Sequence, residues 1–222
     1  KKSLLLNFQD IAKFDHGLAE ETLNDPEDTI TAAEIALSHF EIPGGVVRVR
    51  LSNLPESQNI KIKNIRSEHM DKLIAIDGIV RQASDVRPQL VSAKFECPAC
   101  GNLIKVPQTE QKIKEPSRCN CGRRGRFRVV ERDIVDSQRL ILEESPDALE
   151  GGGQPKRFSI FLREDLVEPA MEKKTTPGSK VRATGLVKEV PIPAKTGGHL
   201  TRFDLILEVN QIEPVEESYE DI

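Results

Sequence analysis

FECPACGN (residues 95–102) and SRCNCGRRG (residues 117–125) contain every cysteine of the chain, arranged as two close pairs. The first pair has two residues between its cysteines, and the second has one. A glycine follows each pair, which lets the backbone fold under a bound metal ion. Four thiolates around one ion form the closed tetrahedral set of structural zinc. The sequence therefore predicts a structural Zn²⁺ site with these ligands: Cys97, Cys100, Cys119 and Cys121.

The alternatives to structural zinc are weaker. A redox pair is expected within a βαβ unit, and no such pattern surrounds CPAC. A finger that reads bases places a helix after its second ligand pair, whereas RFRVV (residues 126–130) alternates like a strand. Four free core cysteines would share this paired spacing only by coincidence. We expect all four sulfurs to bind, with distorted geometry at the shorter second pair.

Helical periodicity precedes the cysteines, and strand periodicity surrounds them. Residues 15–41 are predicted to be helical, with Asp25 at an N-cap and Pro26 in the first turn. From Val47 onward apolar residues alternate with arginines, which is typical of a strand with one solvated face. Further strands are predicted at 140–143, 158–163, 181–187 and 203–209. The predicted fold is mainly β, with a helical cap before a β-barrel-like domain that the cysteine module interrupts.

Composition limits the classes of function. The 222 residues carry a net charge of −4, and no apolar run approaches the roughly 20 residues of a membrane span. No secretory signal is apparent, and the chain begins without methionine, so we expect a piece of a longer intracellular protein. The phosphate-binding loop G-x-x-x-x-G-K-[ST] and the nucleophile motif G-x-S-x-G are both absent from the sequence. Nothing in the sequence predicts a catalytic residue.

A basic hairpin is predicted near the C-terminus. Two extended arms, residues 187–191 and 200–207, flank the turn sequence PAKTGG. Such a cationic arm suits a nucleic-acid backbone, although the same charges could serve only to keep the barrel solvated. With no tryptophan and one tyrosine, base stacking has little support, so we expect sequence-independent phosphate contacts. The hairpin carries Lys188, Lys195, His199 and Arg202.

The order and spacing of several segments resemble the N-terminal region of archaeal minichromosome maintenance (MCM) proteins, the replicative DNA helicases. The segments are SLLLNFQDIAKFDHGLAEETLNDPE, RLSNLP, IRSEHMDKLIAIDGIVRQASDVRP, the cysteine pairs, SQRLILEESPDAL, GGGQPKRFSIFLREDLVE and PGSKVRATGLVK. The resemblance implies an OB-fold barrel with an inserted zinc ribbon and an N-terminal helical subdomain. It places them at 1–45 (helical), 46–93 with 130–215 (OB-fold, hairpin at about 187–205), 94–129 (zinc) and 216–222 (acidic linker).

The resemblance also implies partners and roles. It implies a homohexamer around single- or double-stranded DNA in the archaeal cytoplasm, with no membrane contact and with zinc subdomains where two hexamers can meet. ATP and Mg²⁺ would bind a motor domain beyond Ile222. The four cysteines match zinc positions, and the four basic hairpin residues match a DNA-binding hairpin. Further expected DNA contacts are Arg81 and Arg139, and an inter-subunit loop includes Gly151, Gly152, Gly153 and Arg157.

A second hypothesis remains open from the residues themselves. The chain could be a zinc-ribbon and OB module whose main partner is protein rather than DNA. In that case the hairpin lysines would serve only solubility. Binding of single strands at rising salt discriminates between the two.

Overall fold

The structure, a computed structural model, describes residues 2–40, 47–108, 113–145, 154–193 and 199–215. The chain divides into two compact units. The barrel unit combines Lys1–Asp85 with Gln138–Ile222, and the cysteine unit is Val86–Ser137. None of the helices in the described ranges is both long and apolar enough to cross a membrane.

The N-terminal part of the barrel unit is helical. Strand β1 (Lys2–Asn7) leads into α1 (Phe8–Phe14), α2 (His16–Asn24) and α3 (Pro26–Ser38). Asp15 caps α2, because its Oδ1 accepts from the backbone N–H groups of Gly17 and Leu18. The predicted helical segment from residue 15 onward therefore comprises two helices, the first of them capped by Asp15.

The break between α2 and α3 falls at the predicted Asp25–Pro26 step. Asp25 has a non-helical backbone (φ −133°), and Pro26 begins α3. Asp25 occupies the N-cap position as predicted, but its side chain makes no capping hydrogen bond there. The carboxylates of Glu27 and Asp28 lie in the first turn of α3. Their negative charges stabilise the helix there by interacting with the positive end of its dipole.

Strand β2 (Val47–Ser52) pairs in parallel with β1, and the two form a separate two-stranded sheet. The predicted alternation is present: Val49 and Leu51 are almost fully buried, against Leu73 and Leu186. The other face is not simply solvated, as the sequence predicted, because Arg50 is only 8% exposed. This expectation was wrong, and the partners of Arg50 described below explain why.

A five-stranded barrel forms the larger part of the barrel unit. Its strands are β3 (Leu73–Ala83), the C-terminal part of β6 (Arg128–Glu143), β7 (Arg157–Arg163), β8 (Lys180–Pro193) and β9 (His199–Pro214). They pair in the order β3-β8-β9-β7-β6, and β3 pairs with β6 to close the barrel. The predicted barrel is confirmed, and closure leaves no free sheet edge where all five strands are paired.

The barrel core is aliphatic. Its fully buried side chains include Ile76, Leu140, Leu162 and Leu207. A short helix, α4 (Pro169–Glu172), lies between β7 and β8. Close strand packing requires glycine at position 185, since a Cβ there would lie 2.2 Å from the carbonyl oxygen of Glu208.

The cysteine unit is a small antiparallel sheet. Strand β4 (Arg87–Glu96) pairs with both β5 (Leu103–Pro107) and the N-terminal part of β6. Its small core contains Ala93, Phe95, Cys97, Cys119 and Phe127. The predicted strand after the second cysteine pair is confirmed, because β6 begins at Arg128.

The cysteine unit is inserted at two neighbouring points of the barrel unit. The backbone N–H of Ser84, at the end of β3, donates to the carbonyl of Arg139 at 2.9 Å. The Gln138 amide also donates to the carbonyl of Ser84 at 2.9 Å. The chain therefore leaves the barrel next to where it returns.

Candidate metal centre and nucleic-acid interface

The four cysteine sulfurs form one cluster, as predicted. All four Sγ atoms lie within 4.8 Å of one another. Cys97 Sγ is 3.7 Å from Cys121 Sγ, and Cys100 Sγ is 3.6 Å from Cys119 Sγ. A tetrahedron with Zn–S bonds of about 2.3 Å has sulfur–sulfur edges of about 3.8 Å. The cluster therefore has the size that a tetrahedral zinc ion requires.

The first cysteine pair lies in a turn that closes on itself. The N–H of Cys97 donates to the carbonyl of Asn102 at 2.9 Å, and the N–H of Gly101 donates back to the carbonyl of Cys97 at 2.8 Å. Gly101 has φ +70°, in the left-handed region that glycine adopts without strain.

The second pair repeats this arrangement with one residue fewer. The N–H of Cys119 donates to the carbonyl of Arg123, and that of Gly122 (φ +93°) donates to the carbonyl of Cys119, both at 2.9 Å. Both sulfurs of the C-x-C pair therefore lie in the cluster. The distorted geometry expected at this pair stays a prediction.

Local electrostatics favour the metal-binding form of the buried cysteines. Burial alone would raise the pKa of the Cys97 thiol, but the backbone N–H groups of Ala99 and Cys100 outweigh it and lower that pKa to about 6. The N–H of Cys121 likewise lowers the pKa of Cys119. The backbone N–H of Asn102 lowers the pKa of Cys100, but hydrogen bonds with the neighbouring cysteines outweigh it and raise that pKa. Thiolates bind zinc, and the four clustered sulfurs fit this ion by their number and spacing. Such a closed set supplies a structural crosslink and no open position for a substrate.

The predicted hairpin is formed by β8 and β9. Their ladder runs from Val181 opposite Pro214 to Pro193 opposite His199. The pairing of β3 with β8 stops at Leu186, and that of β7 with β9 begins at Ile206. Beyond these points the described part of the hairpin is a two-stranded arm. The predicted DNA-binding residue Lys195 lies outside the described residues, as do the side chains of His199 and Arg202.

Lys188 lies at the base of this arm and is held by two acids. Its Nζ is 2.5 Å from Glu27 Oε2 and 3.0 Å from Asp71 Oδ1, and its side chain is 27% exposed. Burial lowers the pKa of Lys188, but hydrogen bonds and charge from these carboxylates outweigh burial and raise it. The ammonium is therefore fully charged but already paired, which the sequence alone did not indicate.

Two of the predicted arginines share one carboxylate. Arg81 Nε lies 2.8 Å from Glu143 Oε1, and Arg157 Nε lies 2.9 Å from Glu143 Oε2. The Glu143 side chain is 7% exposed, whereas those of Arg81 and Arg157 are 55% and 69% exposed. The two arginines lower the pKa of Glu143, so it stays ionised and positions both. Glu143 gives no signal of this role in the sequence, because only the β3–β6 pairing brings it near Arg81.

Arg139 is separate from this pair. Its Nη2 donates to Ser159 Oγ at 2.8 Å, and its guanidinium lies 5.9 Å from the centroid of the Phe161 ring. Within the described ranges no carboxylate pairs with it. Arg139 is thus an exposed positive charge on the barrel surface. The predicted loop residues Gly151, Gly152 and Gly153 lie outside the described residues.

Ion pairs and hydrogen bonds of two arginines join β2 to the rest of the barrel unit. Arg50 forms an ion pair with Asp165, donates from Nη1 to the carbonyl of Asn210 at 2.8 Å, and is nearly inaccessible to solvent. Arg48 binds Glu164 at 2.6 Å and Glu34 at 2.7 Å. The only sign of these ion pairs in the sequence is that Arg48 and Arg50 alternate with apolar residues in β2. Their partners lie more than a hundred residues away along the chain or in a preceding helix, so sequence spacing does not reveal them.

Comparison with known proteins gives concordant matches. A family model described as the MCM OB domain matches residues 61–191, more than half of the chain. The minichromosome maintenance protein MCM of Saccharolobus solfataricus is 30% identical over 230 residues, covering 96% of this chain and 32% of that protein. DNA replication licensing factor MCM4 of Drosophila melanogaster is 30% identical over 205 residues, covering 88% of this chain and 23% of that protein.

The fold has a solved counterpart. A 1.8 Angstrom crystal structure of the N-terminal domain of an archaeal MCM matches with a TM-score of 0.75 and 26% identity, covering 97% of this chain and 87% of that one. The predicted OB-type barrel with a helical cap is thereby confirmed. The chain spans about a third or less of the length of the curated relatives it matches.

Proposed function

The chain belongs to the minichromosome maintenance (MCM) family, and on that premise we propose that it holds DNA by its phosphates within a ring-shaped replicative helicase. The observation that carries this proposal is the β8–β9 arm, which extends beyond the barrel pairings and whose sequence contains Lys188, Lys195, His199 and Arg202. Basic side chains on a narrow two-stranded arm suit contact with a charged backbone.

The proposed grip is electrostatic. Lysine and arginine side chains from hairpins of several subunits would face the channel and pair with phosphates without reading bases. The composition supports this, since the chain has no tryptophan and one tyrosine to stack on bases. Arg139, exposed on the barrel, and Arg81, positioned by Glu143, would supply weaker additional contacts. ATP and Mg²⁺ would act in a separate motor domain of the full-length protein, on chromosomal DNA inside the cell.

The direct test is DNA binding as a function of salt. We compare Lys195→Ala/Arg202→Ala with wild type on single strands of mixed sequence, measuring the dissociation constant by fluorescence anisotropy. Loss of two phosphate contacts is expected to reduce the slope of log K against log [salt] by about 1.4. The matched control is Lys173→Ala/Lys174→Ala, which removes two exposed charges near α4. Equal binding of the hairpin variant and wild type would defeat the proposal.

We also propose assembly into a hexamer, with the loop around Gly151, Gly152, Gly153 and Arg157 contacting a neighbouring subunit. Arg157 supports this because Glu143 positions its guanidinium while leaving most of the side chain exposed. Light scattering with and without DNA tests the assembly. The expected mass with DNA is about six times the 24.8 kDa of one chain plus the mass of the DNA itself. A mass that stays monomeric under both conditions argues against it.

The protein-interaction alternative also has a specific observation in its favour. The cysteine unit exposes large apolar side chains that its small core leaves uncovered: Leu103, Ile113, Val130 and Ile134, each more than half exposed. Under this alternative, substitution of these residues changes assembly and the hairpin variant leaves every measured property unchanged. The two functions are thus separable in the same set of proteins.

A further inference from the structure

An apolar groove lies on the helical part of the barrel unit. Residues of α2, α3 and the N-terminal segment line it, and the nearly buried Val49 and Leu51 of β2 lie behind them. The groove encloses about 500 Å³, within the range of about 300–1,000 Å³ for protein binding pockets. The α3 wall includes Asp28 and Ile30 together with four small side chains: Thr29, Ala32, Ala33 and Ala36.

The groove offers an apolar ligand a surface on which no buried polar group needs a hydrogen-bond partner from the ligand. Leu18, on the α2 wall, is 37% exposed, so part of its apolar side chain is available to a ligand. The one buried hydroxyl, that of Thr22, already donates to the carbonyl of Leu18 at 2.7 Å. A ligand in this groove therefore gains by burying hydrocarbon and has no buried hydrogen-bonding group to satisfy.

The surroundings of the groove are strongly acidic. Helices α1, α2 and α3 and the residues between them contain a single lysine and these carboxylates: Asp10, Asp15, Glu20, Glu21, Asp25, Glu27, Asp28 and Glu34. Three of these carboxylates are already ion-paired: Asp10 with Lys13, Glu27 with Lys188, and Glu34 with Arg48. Two others, Glu21 and Asp28, line the groove itself and are exposed. Across the part of the chain that the structure describes, neither forms an ion pair. A nucleic acid would be repelled here, and a cationic partner would be attracted.

We propose that this groove docks a lysine- or arginine-rich amphipathic helix of a partner protein. Leucine-type side chains on one face of the helix would enter between α2 and α3, and basic residues beside them would pair with Glu21 and Asp28. A second copy of this chain is a poor occupant, because its own helices carry the same negative charge. The only other described α-helix, α4, has four residues and cannot supply such a face.

The test uses two fluorescein-labelled leucine–lysine peptides of equal composition. In one the leucines fall on a single helical face, and in the other the order is permuted so that no face is apolar. Anisotropy at physiological salt is expected to show about tenfold tighter binding of the amphipathic peptide. Ala36→Phe, which fills the groove from its exposed wall, is expected to abolish that preference.

Charge variants separate docking from diffuse attraction. Glu21→Lys and Asp28→Lys are each expected to weaken binding of the amphipathic peptide several-fold. The matched control is Glu20→Lys, which makes the same charge change at the neighbouring position outside the groove and is expected to have little effect. These substitutions are on exposed helix positions, so thermal unfolding should confirm that each variant folds.

Three results would overturn the proposal. Equal binding of the two peptides, or an equal effect of Glu20→Lys and Glu21→Lys, would reduce the groove to a diffuse negative surface. Dissociation of an oligomer by Ala36→Phe would show that a second copy of the chain occupies it. None of these results bears on the hairpin, so the proposed DNA contact stands or falls separately.

Discussion

The buried pair between Arg50 and Asp165 gives a quantitative prediction. Both side chains are 10% exposed, and Asp165→Asn removes the charge of the acid while keeping its shape. Removing one partner of a buried ion pair typically costs about 3–5 kcal/mol, because the other charge stays buried. In this variant Arg50 keeps its hydrogen bond to the Asn210 carbonyl, and the amide oxygen of the new asparagine still accepts a hydrogen bond from the Arg50 guanidinium. We therefore expect a loss of about 2–3 kcal/mol.

Urea unfolding of the zinc-loaded chain, followed by far-ultraviolet circular dichroism, measures this loss. The matched control is Asp71→Asn, since Asp71 also pairs with a cation but is 72% exposed. Its substitution is expected to cost about 0.5 kcal/mol or less. Replacing both members of the buried pair, as in Arg50→Met/Asp165→Leu, should cost less than Asp165→Asn alone. If Asp165→Asn is no more destabilising than the control, the argument from burial is refuted.

The same pair predicts a pH dependence. Burial alone would raise the pKa of Asp165, but the hydrogen bonds and positive charge of Arg50 outweigh it and hold that pKa below its usual value. A carboxyl whose folded pKa is lowered stabilises the fold above the unfolded pKa, about 3.9. That stabilisation is lost as the pH falls through the folded pKa. The difference in stability between wild type and Asp165→Asn should therefore begin to narrow below about pH 4 and close once the pH has passed the folded pKa.

Three further predictions concern zinc, a close strand contact and the hairpin. Metal analysis should find one zinc ion per chain, and chelation should remove amide-exchange protection from the cysteine unit, where the ion supplies on the order of 10 kcal/mol. Gly185→Ala should lower the unfolding free energy by about 1–3 kcal/mol, because its Cβ meets the Glu208 carbonyl 2.2 Å away. Glu27→Gln/Asp71→Asn should free Lys188 and tighten single-strand binding, steepening the salt slope by about 0.7.

Local sequence signals predicted the elements better than their long-range partners. The paired cysteine spacing, the Asp25–Pro26 helix start and the apolar alternation around Val49 each depend on neighbours in sequence, and all appear in the structure. The partner of β2 was not evident. Strand β1, only six residues long, follows a lysine and precedes a helix, and nothing in its composition indicates a parallel partner forty residues later.

The charged side chains show the limit of sequence reasoning about the candidate site. The same residue type has three different environments here: Arg50 is buried in an ion pair, Arg81 shares a carboxylate, and Arg139 is free of carboxylates within the described ranges. Each environment is set by strand register and by acids distant in sequence. An unaided sequence shows where positive charge occurs, but not how much of it is already neutralised.

The two insertion points of the cysteine unit have a consequence for how this architecture can change. Ser84 and Arg139 are hydrogen-bonded neighbours, so the two ends of any module inserted between them lie side by side. Such an insertion therefore does not force the barrel strands apart. We expect the barrel to keep its strand order when ribbons of different length are exchanged at this junction. We therefore expect that a different module, grafted through the same pair of strands, leaves the barrel folded.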